Sequence, residues 1–254
     1  MRRELNELER KAELVSEMFG KEQEFAADFH AKLDVSWIYH DCAIEGTVLS
    51  FHELNSCVDE AIITDMTLVP QYDEVRNLNA AISFARNAAA KKKADVGVEY
   101  LKQLHHILSE ESQPRSIKAP PKPPPGQYRK DNPMHRQYFH EICSPEKINY
   151  QMRKLFQWLE TDEFTLLHPV AQAIMLHYRV LKVFPWPKHS GYVARLLMNT
   201  LLLHHGYLPV VLHAVDRHRY YESVKQSFES LATVCFESLN RMFDTSLQAI
   251  DQIA

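Results

Sequence analysis

Glycine is scarce, with 6 in the whole chain of 254 residues. Because long segments also carry apolar residues at three- and four-residue spacing, helices should dominate. Cysteine is scarcer still. The four present, Cys42, Cys57, Cys143 and Cys235, are widely scattered, and none forms a CxxC pair that could grip zinc or carry redox chemistry. They read as reduced thiols of a cytoplasmic protein. Positive charge is not in surplus either: the formal net charge is −4 at pH 7, which removes the electrostatic reason to expect nucleic acid as a partner. The one dense basic run, Lys91, Lys92 and Lys93, reads as a solvated helix end. Nor does any stretch approach the roughly eighteen uninterrupted apolar residues of a membrane span. The opening MRRELNELERKAELV is charged at helical spacing and lacks the apolar centre of a signal peptide, so no membrane partner is expected.

What is present is enough apolar residue, 45%, to bury a real core. The spacing predicts helices over about 2–33, 35–44, 50–62, 73–91, 96–108, 145–161, 169–182, 191–205 and 217–250. One segment departs from this pattern. SIKAPPKPPPGQYRKDNPMHRQYFHEICSP, residues 116–145, begins with prolines that cannot sit inside a helix and continues with alternating aromatic and polar residues. It predicts an extended linker followed by a hairpin, with docking of the proline run into a partner's aromatic groove as the alternative.

The most informative stretch runs LLHPVAQAIMLHYRVLKV, then FPWPKHS, then GYVARLLMNTLLLHHG, residues 166–206. Pro185 and Pro187 forbid regular helix between two helical runs, and Ser190 has the chemistry of an N-cap for a helix starting at Gly191. A helix start of this kind is a natural anion site, because its backbone N–H groups carry partial positive charge.

FPWPKHSGYVAR, residues 184–195, resembles the signature HPFxDGNGRxxR of the Fic family. The resemblance extends through HPVAQAIMLHYRVLKV before it, GYLPVVL and DRHRYYESV after it, and PGQYRKDN, which resembles the start of the family's flap hairpin. Upstream, DVSWIYHDCAIEGTVLSFHEL resembles the inhibitory helix motif (S/T)xxxE(G/N), with the glutamate at Glu45 and Asp41 at the Ser/Thr position. EVRNLNAAISFA resembles the helix that follows. The resemblance implies a mainly α fold, a Fic-type helical bundle with a small β-hairpin flap. It divides the chain into an extension over 1–33, a helical region with the inhibitory-like motif over 34–112, a core with flap and signature loop over 113–225, and a C-terminal helix over 226–254.

The resemblance also assigns roles, and the residues here do not fit them. The family's general base is a histidine, but Phe184 stands at that position and cannot accept a proton. The acidic metal ligand is replaced by Lys188, whose ammonium has no lone pair for Mg²⁺, so magnesium is not expected at the usual position and no other cofactor is implied. Lys188 could instead neutralise a phosphate directly. The GNG cradle becomes His189, Ser190 and Gly191, with one glycine rather than two. Tyr192 replaces the first signature arginine, and Arg195 keeps the second.

Lys188, Ser190, Gly191 and Arg195 are therefore the candidate anion-binding residues, for a nucleotide or other phosphate-containing ligand. His189 is the candidate substitute base, with Lys188 beside it as the other candidate catalytic residue. His177 reads as a packing or hydrogen-bonding histidine, and His204 and His205 read as structural or exposed. Phe184 and Trp186 either fill the cavity where a nucleotide would sit or form a stacking wall for a different ligand. Glu45 and Arg195 are expected to pair as a bidentate clamp between two helices, unless Glu45 only ends its helix before the cap Gly46.

Two functions follow as expectations. One is a pseudoenzyme-like regulator or binding protein with a protein partner. The other is a repurposed transferase that moves a phosphate-containing or sugar-nucleotide-derived group with a non-standard base. The long terminal helices have spacing suited to a homodimer or equally to packing within the chain.

Overall fold

The computed structural model describes residues 2–58, 69–93, 96–111, 126–134 and 138–252. Eleven α-helices are formed among them: α1 (Arg2–Lys21), α2 (Gln23–Glu45), α3 (Phe51–Val58), α4 (Val69–Ala89), α5 (Val98–Leu108), α6 (Ile148–Trp158), α7 (Asp162–Thr165), α8 (Pro169–Val183), α9 (Ser190–His204), α10 (Arg217–Gln226) and α11 (Phe228–Asp251). The proline run of 116–125 lies outside the described residues.

α9 is the axis of the molecule. Every residue from Ser190 to Leu202 is buried, so neighbours must cover this mostly apolar helix on all sides. α8, α4, α5 and α2 supply that cover. α8 starts with Pro169 at its first position, and His168 caps it by accepting the Val170 N–H at Nδ1, 3.2 Å away. Both features suit a helix start, where free backbone donors need a partner and proline has none to lose. α11 packs on α8 and α10, and α1 lies along α11, fastened by Lys11 to Asp244 at 2.7 Å.

Several boundaries differ from the sequence reading. The run 2–33 divides after Lys21, and α2 continues without interruption to Glu45. Asp34, taken as the break, sits inside α2 and pairs with Arg86 of α4. The run 217–250 divides at Ser227, which is extended (φ −165°) and caps α11 by accepting the Ser230 N–H at 3.2 Å.

The expected β-hairpin flap is not shown. No strand forms among the described residues, and 135–137, the middle of the expected hairpin, lie outside them. The flanks direct their hydrogen bonds elsewhere: the Arg129 N–H donates to Pro185 O at 2.9 Å and the Cys143 N–H to Lys182 O at 3.0 Å. These two backbone donors are thereby satisfied by the end of α8 and its loop.

Candidate functional site

The site is built where α8 hands over to α9. Phe184 leaves α8 in the left-handed conformation (φ 48°) and His189 enters α9 in the same conformation (φ 63°). Non-glycine residues take this backbone rarely, and two in six residues fold the loop tightly. His189, not Ser190, is the N-cap. The Ser190 hydroxyl is turned back into the loop, accepting from the Trp186 N–H and donating to Trp186 O, both at 2.9 Å. It braces the turn instead of facing an anion.

The two loop aromatics have different surroundings. Trp186 is fully buried, stacked on His105 with ring centroids 4.7 Å apart. Phe184 packs against Tyr138 (5.7 Å) and His140 (6.2 Å), and it forms part of the wall of an adjoining cavity of about 620 Å³. Lys188, His189 and Tyr192 also face this cavity. Its ionisable lining is unbalanced: Glu45, Asp73, Glu74, Glu110 and Glu111 contribute carboxylates, against the cations of Lys188 and Arg217.

Two residues that the sequence did not single out organise this region. Arg129, 4% exposed, donates from Nε to Phe184 O at 2.7 Å and from Nη1 to Asn132 Oδ1 at 2.7 Å. Its Nη2 reaches Cys143 O and Val183 O. One side chain thus ties the 126–134 segment, residue 143 and the end of α8 together. Glu74 of α4 accepts from the Tyr192 hydroxyl, and from Thr47 Oγ1 at 2.7 Å. Burial pushes the Glu74 carboxyl pKa up, against the lowering effect of those two donors.

Arg195 is 1% exposed and meets two carboxylates of α2. Its Nε donates to Asp41 Oδ1 at 2.7 Å, and its Nη2 lies 2.8 Å from Glu45 Oε1. The expected bidentate pairing with Glu45 is therefore not what forms: the guanidinium is divided between two carboxylates one helical turn apart. Burial works against the Arg195 cation, but Asp41 and Glu45 outweigh it and raise its pKa well above the ordinary value. Glu45 is held by two further circumstances. α2 ends at Gly46 in the left-handed conformation (φ 104°), whose N–H donates to Cys42 O at 3.0 Å, and a Cβ added to Gly191 would collide with Glu45 Oε1. The single glycine of the loop leaves room for that carboxylate at the start of α9.

His177 is fully buried, with Nε2 2.9 Å from the Tyr220 hydroxyl. Burial, then Arg195 and His140, hold its pKa down to about 3, so it is a neutral hydrogen-bonding histidine near pH 7. His204 bonds Ala89 O at 2.9 Å through Nδ1, and His205 is exposed. Among the described residues no group of three or more His, Cys, Asp or Glu could hold a metal ion. Their helices include none long and apolar enough to cross a membrane.

Residues 95–202 match the Fic/DOC family. A protein adenylyltransferase Fic from Nematostella vectensis is 26% identical over 190 residues, 75% of this chain and 42% of that protein. One from Drosophila melanogaster is 27% identical over 194 residues, 76% of this chain and 37% of that protein. The chain thus matches well under half the length of these relatives. Among solved structures, Fic-1 from C. elegans superposes with a TM-score of 0.77 at 19% identity, covering 100% of this chain and 73% of that one. A Fic domain containing signaling protein from Bacteroides thetaiotaomicron gives 0.75 at 19% identity, covering 96% and 97%. At such identities the two structures speak for a shared fold.

Proposed function

We propose that this chain, whose residues 95–202 match the Fic/DOC family, is a divergent Fic-fold protein without ordinary Mg-ATP-dependent AMP transfer, acting as a regulator or binding protein for a protein partner. The observation that carries this reading is the occupancy of the α9 start. A carboxylate, Glu45, lies against Gly191 there, and Arg195 behind it is already neutralised.

Phosphates do not suit such a place. A nucleotide would bring its negative charge into a cavity lined by more acidic than basic side chains, although Glu45 and Asp73 are paired with Arg195 and Arg76, and like charges repel. Magnesium does not suit it either, since Lys188 offers no electron pair. Phe184 cannot take a proton from a target hydroxyl. A cytoplasmic setting, where thiols stay reduced, suits the unpaired Cys42, Cys143 and Cys235. Nucleic acid finds no basic surface in the cavity lining.

One observation favours the second reading, a repurposed transferase: Lys188 and His189 face the same cavity, so a cation for a donor and an imidazole for a proton stand together. Incubation with labelled ATP, nucleotide sugars and phospholipid head-group donors, followed by intact-mass spectrometry, separates the two readings. The regulator reading expects no covalent product and partner binding unaffected in Lys188→Ala and His189→Ala. A saturable donor, with turnover lost in those two variants, would establish the transferase instead.

A further inference from the structure

Asp41 and Glu45 reach the same guanidinium from successive turns of α2, but they hold it in different ways. Asp41 uses both carboxylate oxygens: Oδ1 accepts from Arg195 Nε at 2.7 Å and Oδ2 from Trp37 Nε1 at 3.3 Å. Its side chain is 3% exposed. Glu45 Oε1 approaches Arg195 Nη2 closely, yet neither atom makes a hydrogen bond, and the Glu45 side chain keeps 20% of its surface open at the cavity edge. The first contact is directional and dry. The second is a charge contact without a hydrogen bond, its Oε1 buried although the rest of the Glu45 side chain reaches the cavity edge.

Electrostatics weighs such contacts by dielectric and geometry. A buried charge pair joined by a directed hydrogen bond is stronger than one held by charge alone. Leaving a buried charge without its partner is also costly, because the desolvation of that charge is no longer offset. Loss of the Glu45 carboxylate would therefore leave Arg195 neutralised, whereas loss of the Asp41 carboxylate would leave it with a contact that lacks a hydrogen bond. The end of α2 has other fastenings as well, with Arg217 Nε and the Tyr221 hydroxyl donating to Ile44 O at 2.8 and 3.1 Å.

We propose that Asp41 is the positioning residue for Arg195 and the lock between α2 and α9, so that Arg195 stays committed when the Glu45 carboxylate is withdrawn. The inference deepens the reading above, on which it rests for its meaning: it explains why the retained signature arginine is out of reach of a ligand whatever Glu45 does. The contact itself is tested without any activity.

The test is side-chain NMR on the full chain with ¹⁵N-labelled arginine, following hydrogen exchange of the Arg195 Nε–H in wild type, Glu45→Gln and Asp41→Asn. The expected result is a change of less than about threefold in Glu45→Gln and an acceleration of about tenfold or more in Asp41→Asn, as a local opening made easier exchanges faster. Should Asp41→Asn not fold, the Glu45→Gln comparison decides alone: unchanged exchange supports the proposal, and a tenfold acceleration overturns it. Equal acceleration in both variants overturns it too. Transfer of AMP by the wild-type chain would sink the functional reading while leaving the exchange pattern intact, so the two failures are distinguishable.

Discussion

Arg129 and Arg195 are both buried guanidinium groups beside the same loop, and they are satisfied in opposite ways. Arg129 meets backbone carbonyls and an amide oxygen, Phe184 O, Cys143 O, Val183 O and Asn132 Oδ1, with directed hydrogen bonds. Arg195 meets two carboxylates, yet its Nη1 and Nη2 make no hydrogen bond. One group is rich in hydrogen bonds and, among the described residues, makes no close ion pair. The other is rich in opposite charge and poor in hydrogen bonds. The roles differ accordingly: Arg129 fixes the shape of the loop, and Arg195 joins two helices.

The largest test of that contrast is to remove each cation with a side chain of similar length. Arg195→Met leaves Asp41 and Glu45 facing each other without a counter-charge, and should cost about 3–5 kcal/mol of unfolding free energy near pH 7. Burial already pushes the Asp41 pKa up in the presence of Arg195. Without the cation, the folded-state pKa of Asp41 rises further above the unfolded value. Protonation then favours the folded variant, so part of its deficit should return as pH falls towards 5. Arg129→Met should cost about 3 kcal/mol through unpaired carbonyls, with no such recovery. Urea unfolding at several pH values measures both, and equal pH dependence in the two variants would erase the distinction.

Next comes His177, which lies near Arg195 and is held at a pKa of about 3. The unfolded chain takes up a proton at this residue near pH 6.5, whereas the folded chain does not until about pH 3. Its contribution to stability is therefore lost on acidification across that window, at up to about 1.4 kcal/mol per pH unit. His177→Gln should flatten the acid limb relative to wild type in thermal or urea unfolding. An unchanged acid limb would place the titration elsewhere.

Gly191→Ala probes the room that Glu45 occupies. The new methyl collides with Glu45 Oε1, and overpacking of this kind costs about 1–3 kcal/mol. The double variant Gly191→Ala/Glu45→Ala should recover most of that loss if the carboxylate is the obstacle. The smallest effect is expected from Asn132→Ala, which removes one hydrogen bond of 2.7 Å from Arg129 and should cost about 1 kcal/mol. A larger loss would mean that Asn132 carries more of the loop than its single contact indicates.

Most helices were legible because apolar spacing is a local property, and α8, α9 and α5 fall within a residue or two of the periodic runs. The missed boundaries have local causes that the period does not carry. Ser227 interrupts an otherwise continuous apolar pattern by taking an extended backbone and capping α11, and a serine three residues before Ser230 was the available signal. Asp34 resembled a break until Arg86, 52 residues away, gave it a partner.

The candidate site was legible unevenly for the same reason. The loop residues stood out through their resemblance to a signature. Asp41 was visible only as a departure from a motif, and nothing in the sequence indicated that it would be the better-bonded partner of Arg195, 154 residues away. Arg129 left no pattern because its partners are mostly main-chain carbonyls, which every residue carries. The Ser190 cap failed because the preceding His189 took the left-handed backbone and the serine hydroxyl found Trp186.

The sequence by itself determined the chemistry that the loop lacks. A phenyl ring at 184 has no site for a proton and an ammonium at 188 has no lone pair, and these are covalent facts that no packing alters. It also determined the predominance of helix, through the spacing of apolar side chains. Only the tertiary structure decided which carboxylates Arg195 meets, what Arg129 binds and which acids surround the cavity. Such contacts join residues far apart in the chain, and burial, which sets their strength, exists only once the helices have packed.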